Sequence, residues 1–93
     1  MTEKEEPQKF TIQINKDVLK FLDSLDKYKY EHLINKIFSL EDEPLPVGCA
    51  KLNVINGYRI KWSDYRILYK IDFQNRLVII YKAGHRKEIY KKK

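Results

Sequence analysis

Six side chains in the C-terminal half of this 93-residue chain have types and spacings suited to chemistry on a phosphodiester: Arg59, Lys61, Arg66, His85, Arg86 and Tyr90. Cutting RNA without a metal requires a base for the 2′-hydroxyl, an acid for the leaving 5′-oxygen, and cations for the charge that builds on phosphorus. A histidine titrates near ~6.5 and serves as acid or base, the two roles open to His85. A lysine crowded by other cations can give up its proton and act as a base, the role open to Lys61. Arg66 and Arg86 can grip phosphate oxygens with a planar fork. Tyr90 can stack on a base or donate a proton. Each residue also has a plainer reading. A histidine after a glycine at a strand end is ordinary loop structure, Arg59 and Lys61 suit solvated strand positions, and Tyr58, Tyr65 and Tyr69 suit a core better than a stacking platform. What would set these groups apart is convergence on one surface, and that depends on the elements that carry them.

Phe10-Thr11-Ile12-Gln13-Ile14 alternates apolar and polar residues, the period of a half-buried strand. Asn15 then caps a helix running to about Asp26, with Val18, Leu22 and Leu25 in one stripe and Phe21 beside it. A second helix is expected from about Tyr28 to Leu40, with Leu33, Ile37 and Leu40 on one side; Pro44 and Pro46 stiffen its exit. The period then changes to two. Strands are expected at Lys51 to Ile55, Tyr58 to Trp62, Tyr65 to Asp72 and Leu77 to Ala83, with a tight turn at Asn56-Gly57 and a tail or short helix from Arg86 to Lys92. The order predicts an α+β domain: an N-terminal strand, a helical hairpin, and an antiparallel meander packed on the helices. The whole chain, 1–93, reads as a single domain with residues 1–8 flexible.

Alternation puts Tyr58, Ile60 and Trp62 on one face of their strand and Arg59 and Lys61 on the other. It separates Tyr65, Ile67, Tyr69 and Ile71 from Arg66, Leu68 and Lys70. Alternation puts Lys82 on the same side as Val78 and Ile80, yet its charge also makes it a candidate for the basic face. Since helices cover only one side of the sheet, the other is expected to carry Arg59, Lys61 and Arg66, with His85, Arg86 and Tyr90 at its edge and Lys87 nearby. Charge follows the same division. Residues 58–93 hold eleven basic and three acidic residues, a balance of +8 within a total of +6, which leaves −2 for the rest. Such asymmetry suits a polyanionic partner.

Other chemistries lack their residues. There is no Gly-rich phosphate loop, no Cys/His set for zinc and no usefully spaced carboxylate pair, so neither metal nor cofactor is expected. Glu41-Asp42-Glu43 closes a helix, and Cys49, the single cysteine, reads as a packing residue. The N-terminus has no apolar run of the signal-peptide kind, and no stretch nears the ~20 apolar residues of a membrane helix. A cytoplasmic location is the expectation.

Four segments in order resemble the RelE branch of the RelE/ParE toxin superfamily. They are Pro46-Val47-Gly48-Cys49-Ala50-Lys51-Leu52, Gly57-Tyr58-Arg59-Ile60-Lys61, Asp64-Tyr65-Arg66-Ile67-Leu68-Tyr69 and Gly84-His85-Arg86-Lys87-Glu88-Ile89-Tyr90. The resemblance implies the toxin of a type II toxin–antitoxin pair: a ribosome-dependent, metal-independent endoribonuclease that inhibits translation by cutting mRNA to a 2′,3′-cyclic phosphate. It implies a cognate antitoxin, the ribosome and mRNA as partners. By motif it carries over Arg59, Lys61, Arg66, His85, Arg86 and Tyr90; the expected catalytic residues are Lys61, Arg66, His85, Arg86 and Tyr90, and the expected RNA-binding ones Arg59, Lys61, Lys82 and Lys87. Two alternatives accompany it: a ParE-like gyrase inhibitor, and a non-catalytic RNA-binding module on the same fold. The sequence departs from the family where Arg59 replaces a common lysine and where Trp62-Ser63 replaces smaller residues. Arginine is a poor base, which shifts that role toward Lys61 or His85. The acidic stretch Glu3 to Glu6 has no counterpart in the pattern.

Overall fold

The computed structural model describes residues 9–90, so the expectation for residues 1–8 and the last three lysines lie outside it. Five strands and three helices follow in the order β1 (Thr11–Ile14), α1 (Lys16–Asp23), α2 (Lys27–Ser39), β2 (Ala50–Lys51), β3 (Gly57–Trp62), β4 (Tyr65–Asp72), β5 (Leu77–His85) and α3 (Arg86–Ile89). They form one sheet ordered β1-β5-β4-β3-β2. β1 lies parallel to β5, and every other pairing is antiparallel. The α+β arrangement of strand, helical hairpin and meander is therefore the observed one.

The first helix starts at its predicted cap but ends at Asp23, short of the expected Asp26, which instead caps the second helix. The Asn15 side chain accepts from the Val18 N–H at 3.0 Å, and the Asp26 side chain accepts from the Lys29 N–H at 2.9 Å. Each satisfies a backbone donor that has no partner inside its helix. Val18 and Leu22 of α1, with Leu33 and Ile37 of α2, are buried against Ile60, Ile67, Tyr69, Ile71, Val78 and Ile80 of the sheet. These are the positions that helical and strand periodicity single out, and their burial supplies the main driving force for folding.

The strand expected at Lys51 to Ile55 shrinks to two residues. Leu52 to Asn56 turns back instead, with the Gly57 N–H donating to the Val54 carbonyl at 3.0 Å and Asn56 at φ +53°. A Cβ on Gly57 would run into the Val54 side chain, so only glycine lets the turn close at this point. β2 consequently covers only the Tyr58–Arg59 part of β3 and leaves the outer edge of Ile60 to Trp62 without a strand partner.

Tyr69, fully buried, ties the irregular segment after α2 to the sheet. Its phenol donates to the Pro44 carbonyl at 2.7 Å. Burial, reinforced by Cys49 alongside, pushes that phenol well above the ordinary tyrosine range. Tyr69→Phe is expected to cost about 1 kcal/mol in urea denaturation near neutral pH, because the Pro44 carbonyl loses its donor. A group held protonated by the fold contributes stability in full below its ordinary value of 10.0 and loses it as pH rises beyond that. Stability of the parent chain should therefore fall as pH rises above 10, and the phenylalanine variant should fall less steeply.

Candidate functional site

The site is organised by one extra residue in β5. Leu68 pairs with Lys82 while the next β4 residue, Tyr69, pairs with Ile80, so Tyr81 has no opposite number. This β-bulge reverses the alternation of everything after it. Lys82 leaves the side of Val78 and Ile80, where strict alternation puts it, and joins the face opposite the helices. The open face then carries two transverse rows, Arg59–Leu68–Lys82 and Lys61–Arg66–Gly84. Asn15 holds the bulge in place. Its N–H donates to the Ile80 carbonyl at 3.1 Å, and its Nδ2 donates to the Tyr81 carbonyl at 3.0 Å. The same side chain caps α1, so helix start and bulge share one anchor.

After β5 the chain turns back over the open face as α3. Ile89 is buried outside the main core, with its Cδ1 3.6 Å from the position a Cβ on Gly84 would take, and Leu68 is buried on the same face. This anchorage delivers Tyr90 to the basic rows: Arg59 Nη1 donates to the Tyr90 hydroxyl at 3.3 Å. Tyr81 stands close by, and burial, then the neighbouring Tyr90, raise its phenol above the ordinary value. The Lys70 ammonium lies 5.7 Å from the centre of the Tyr81 ring. Sequence reading overlooks Tyr81, because the apolar run Leu77 to Ala83 carries no mark of the bulge.

The remaining candidates are distributed as follows. Arg66 Nη1 donates to the carbonyls of Ser63 and Tyr65 at 3.1 and 3.0 Å, which folds its side chain along the hairpin end. Arg86 sits 3.4 Å from the Asp64 carboxylate at the same end, and its N–H donates to the Asp64 carbonyl at 2.7 Å. Lys61 and Lys82 are exposed, as is Lys87 on α3. His85 does not join them. The reversed alternation puts it in register with Tyr65 and Trp62 on the helix side, its ring edge-on to Tyr65 with centroids 5.6 Å apart. Its Nδ1 accepts from the Lys87 N–H at 3.1 Å and so caps α3. The structure thus brings Arg59, Lys61, Arg66, Lys82 and Tyr90 together, places Arg86 at their margin, and separates His85 from them.

The family model described as the ParE toxin of the type II toxin–antitoxin system parDE matches residues 12–90, nearly all of the chain. The chain belongs to the RelE/ParE family of type II toxins. It is 29% identical over 87 residues to the candidate toxin RelE1 of Methanocaldococcus jannaschii, an alignment covering 89% of this chain and 97% of that one. Among solved structures, the archaeal RelE–RelB complex of Pyrococcus horikoshii superposes with a TM-score of 0.78 at 29% identity, covering 86% of this chain and 98% of that chain. The isolated Escherichia coli RelE toxin shares the fold, with a TM-score of 0.70 at 23% identity and coverage of 82% and 83%. The toxin fold and its RelE-like α+β layout are established on these grounds.

Asn15→Ala should remove the cap of α1 and the side-chain bond to the Tyr81 carbonyl, while the backbone N–H bond to Ile80 stays. A loss of about 1–2 kcal/mol is expected in denaturant unfolding. Amide exchange should speed up at Tyr81 to Gly84 as well as in α1; faster exchange confined to α1 would mean that the bulge stands without Asn15.

Proposed function

We propose that this toxin is a ribosome-dependent, metal-independent mRNA endoribonuclease. The observation that carries the reading is the meeting of Tyr90 with Arg59 at 3.3 Å, on the face where Lys61 and Arg66 are register partners. A phenol, a primary amine and guanidinium groups are then within one substrate's width, which fits an in-line transesterification. In this reading Lys61 takes the proton of the 2′-hydroxyl. The 2′-oxygen attacks phosphorus, the bond to the 5′-oxygen breaks, and a 2′,3′-cyclic phosphate remains. Tyr90 gives its proton to the departing 5′-oxygen, and solvent later returns the proton held by Lys61. Arg59 stabilises the negative charge left on the phenol. Arg66 and Arg86 have guanidinium N–H groups beyond those used at the hairpin end, and these receive the phosphate oxygens. Lys82 and Lys87 hold the flanking backbone. His85 acts as a positioning residue that starts α3 and thereby sets Arg86 and Tyr90.

A cognate antitoxin is proposed as the protein partner. Its support is that relatives from Pyrococcus horikoshii and Methanococcus jannaschii were solved as RelE–RelB complexes, and that an acidic segment complements the open basic face. A cytoplasmic location follows from ribosomes as the place of action.

The test is single-turnover cleavage on ribosomes holding a defined mRNA codon in the A site. Tyr90→Phe and Lys61→Ala should each slow cleavage by about 10²-fold or more, the usual worth of a proton-transfer group. Arg66→Ala should be similarly impaired while folding normally. Full-length protein that leaves the mRNA intact would reject the proposal. The ParE name of the matching family keeps one other reading in view: growth arrest accompanied by DNA breaks and uncut mRNA would move the target to gyrase.

A further inference from the structure

A second group of side chains lies on the opposite side of the sheet from the proposed catalytic face, and only its end member His85, which starts α3, has any part in the proposed reaction. Where β3, β4 and β5 run out, Trp62, Tyr65 and His85 form one transverse row by register. The Trp62 and Tyr65 rings are nearly parallel, 14° apart, with centroids 6.3 Å apart. α2 extends the row. His32 stacks on Trp62 at 4.7 Å and 12°, and Tyr28, one turn earlier, stands edge-on to both His32 at 4.5 Å and Trp62 at 6.0 Å. Five rings thus run without a break from the glycine-histidine-arginine turn to the start of α2. None is fully buried, and Tyr28 and His32 are exposed, Tyr28 by 65%. A row placed only to lock α2 onto the sheet would gain by covering its rings, yet its outer end stands in water.

We propose that this row is a stacking track for the bases of single-stranded RNA, continuing the path of a strand whose phosphate is held on the basic face. His32 and Trp62 cover one face of each other, and every ring of the row combines a π-system with a polar rim, the combination that bases recognise. Cations lie along the track: the Lys29 ammonium is 5.8 Å from the centre of the Tyr65 ring, and Arg86 borders His85. Both have exposed carboxylate neighbours, Asp26 at 3.9 Å and Asp64 at 3.4 Å, and such pairs exchange readily for phosphate. An amphipathic antitoxin helix docks by its apolar face, whereas these rings carry polar rims and stand among cations. His85 joins the two surfaces, since it caps α3 with Nδ1 and contacts Tyr65 with its ring. The inference rests on RNA being the substrate but not on its being cut.

The test uses the chain's single tryptophan, Trp62. The full-length protein is titrated at low salt with a 2′-O-methyl RNA 12-mer, which cannot be cleaved, and with an abasic oligomer of equal charge. Stacking predicts that the base-bearing oligomer quenches Trp62 emission and the abasic one does not. Tyr28→Ala and His32→Ala should each weaken binding about fivefold or more, the lower end for loss of one stacking ring, with unchanged circular dichroism. His32→Phe should bind like the parent. Equal response to both oligomers, variants that bind like the parent, or no quenching at all would each overturn the track. Quenching by the antitoxin but not by RNA would assign the row to the protein partner, and equally overturn it. Cleavage on ribosomes is a separate measurement, so an inactive chain that still shows base-dependent quenching would reject the nuclease reading and keep the track.

Discussion

Side chains on a strand alternate between two faces, and a single inserted residue exchanges the faces for all that follows. Tyr81 is that residue. Before it, Val78 and Ile80 feed the core under the helices. After it, Lys82 and Gly84 face the open side, while Ala83 and His85 face the helices. Without the insertion, Lys82 would put an ammonium into the apolar layer beside Ile67, where an unpaired charge is very costly. His85, in turn, would stand where α3 must fold back. The bulge therefore lets one strand serve a dry core at its start and a charged surface at its end. Its exposed carbonyls are satisfied by Asn15, which makes the start of the first helix part of the same device.

The open face is built at an electrostatic cost. Arg59, Lys61, Arg66 and Lys82 are brought into two adjacent rows, and described acidic partners are few: Asp64 pairs with Arg86 at the margin rather than with the rows. Like charges at such spacing repel, although water screens much of the effect at an exposed surface. The apolar layer beneath offsets the repulsion, and Ile89 adds a small second apolar contact from above. A surface held in this way has an unmet demand for negative charge, which a polyanion supplies on arrival.

Much of the fold is legible in the sequence because burial enforces period. The stripe Val18, Leu22 and the alternation Ile67, Tyr69, Ile71 are each determined by which side meets the core, and the cap Asn15 announces the first helix. The site is legible only as far as alternation holds. Arg59, Lys61 and Arg66 precede the bulge and stand where their periodicity puts them. Lys82 and His85 follow it and stand on the faces opposite to those strict alternation gives, which brings Lys82 onto the basic face as its charge suggests and takes His85 off it. In Leu77 to Ala83 nearly every residue is apolar on both faces, so the sequence contains no contrast from which a change of phase could be read. The aromatic row was hidden for a related reason: its rings come from α2, β3, β4 and β5, and only the register brings them together.

The register also gives a reason for arginine at position 59. Arg59 lies in the row of Leu68, over which the turn of α3 carries Tyr90, and its outer nitrogen reaches the phenol oxygen. A guanidinium keeps its charge at any relevant pH and has N–H groups to spare beyond the one given to Tyr90. It can thus fix the phenol and still face a phosphate, whereas an ammonium acts as a single compact charge without that fixed fork. The cost is that position 59 can no longer supply a base. Lys61, two residues along the same strand, faces the same side with an exposed amine and has Arg66 as its register partner, so in the proposed reaction the base sits one row along from Arg59 on the same face.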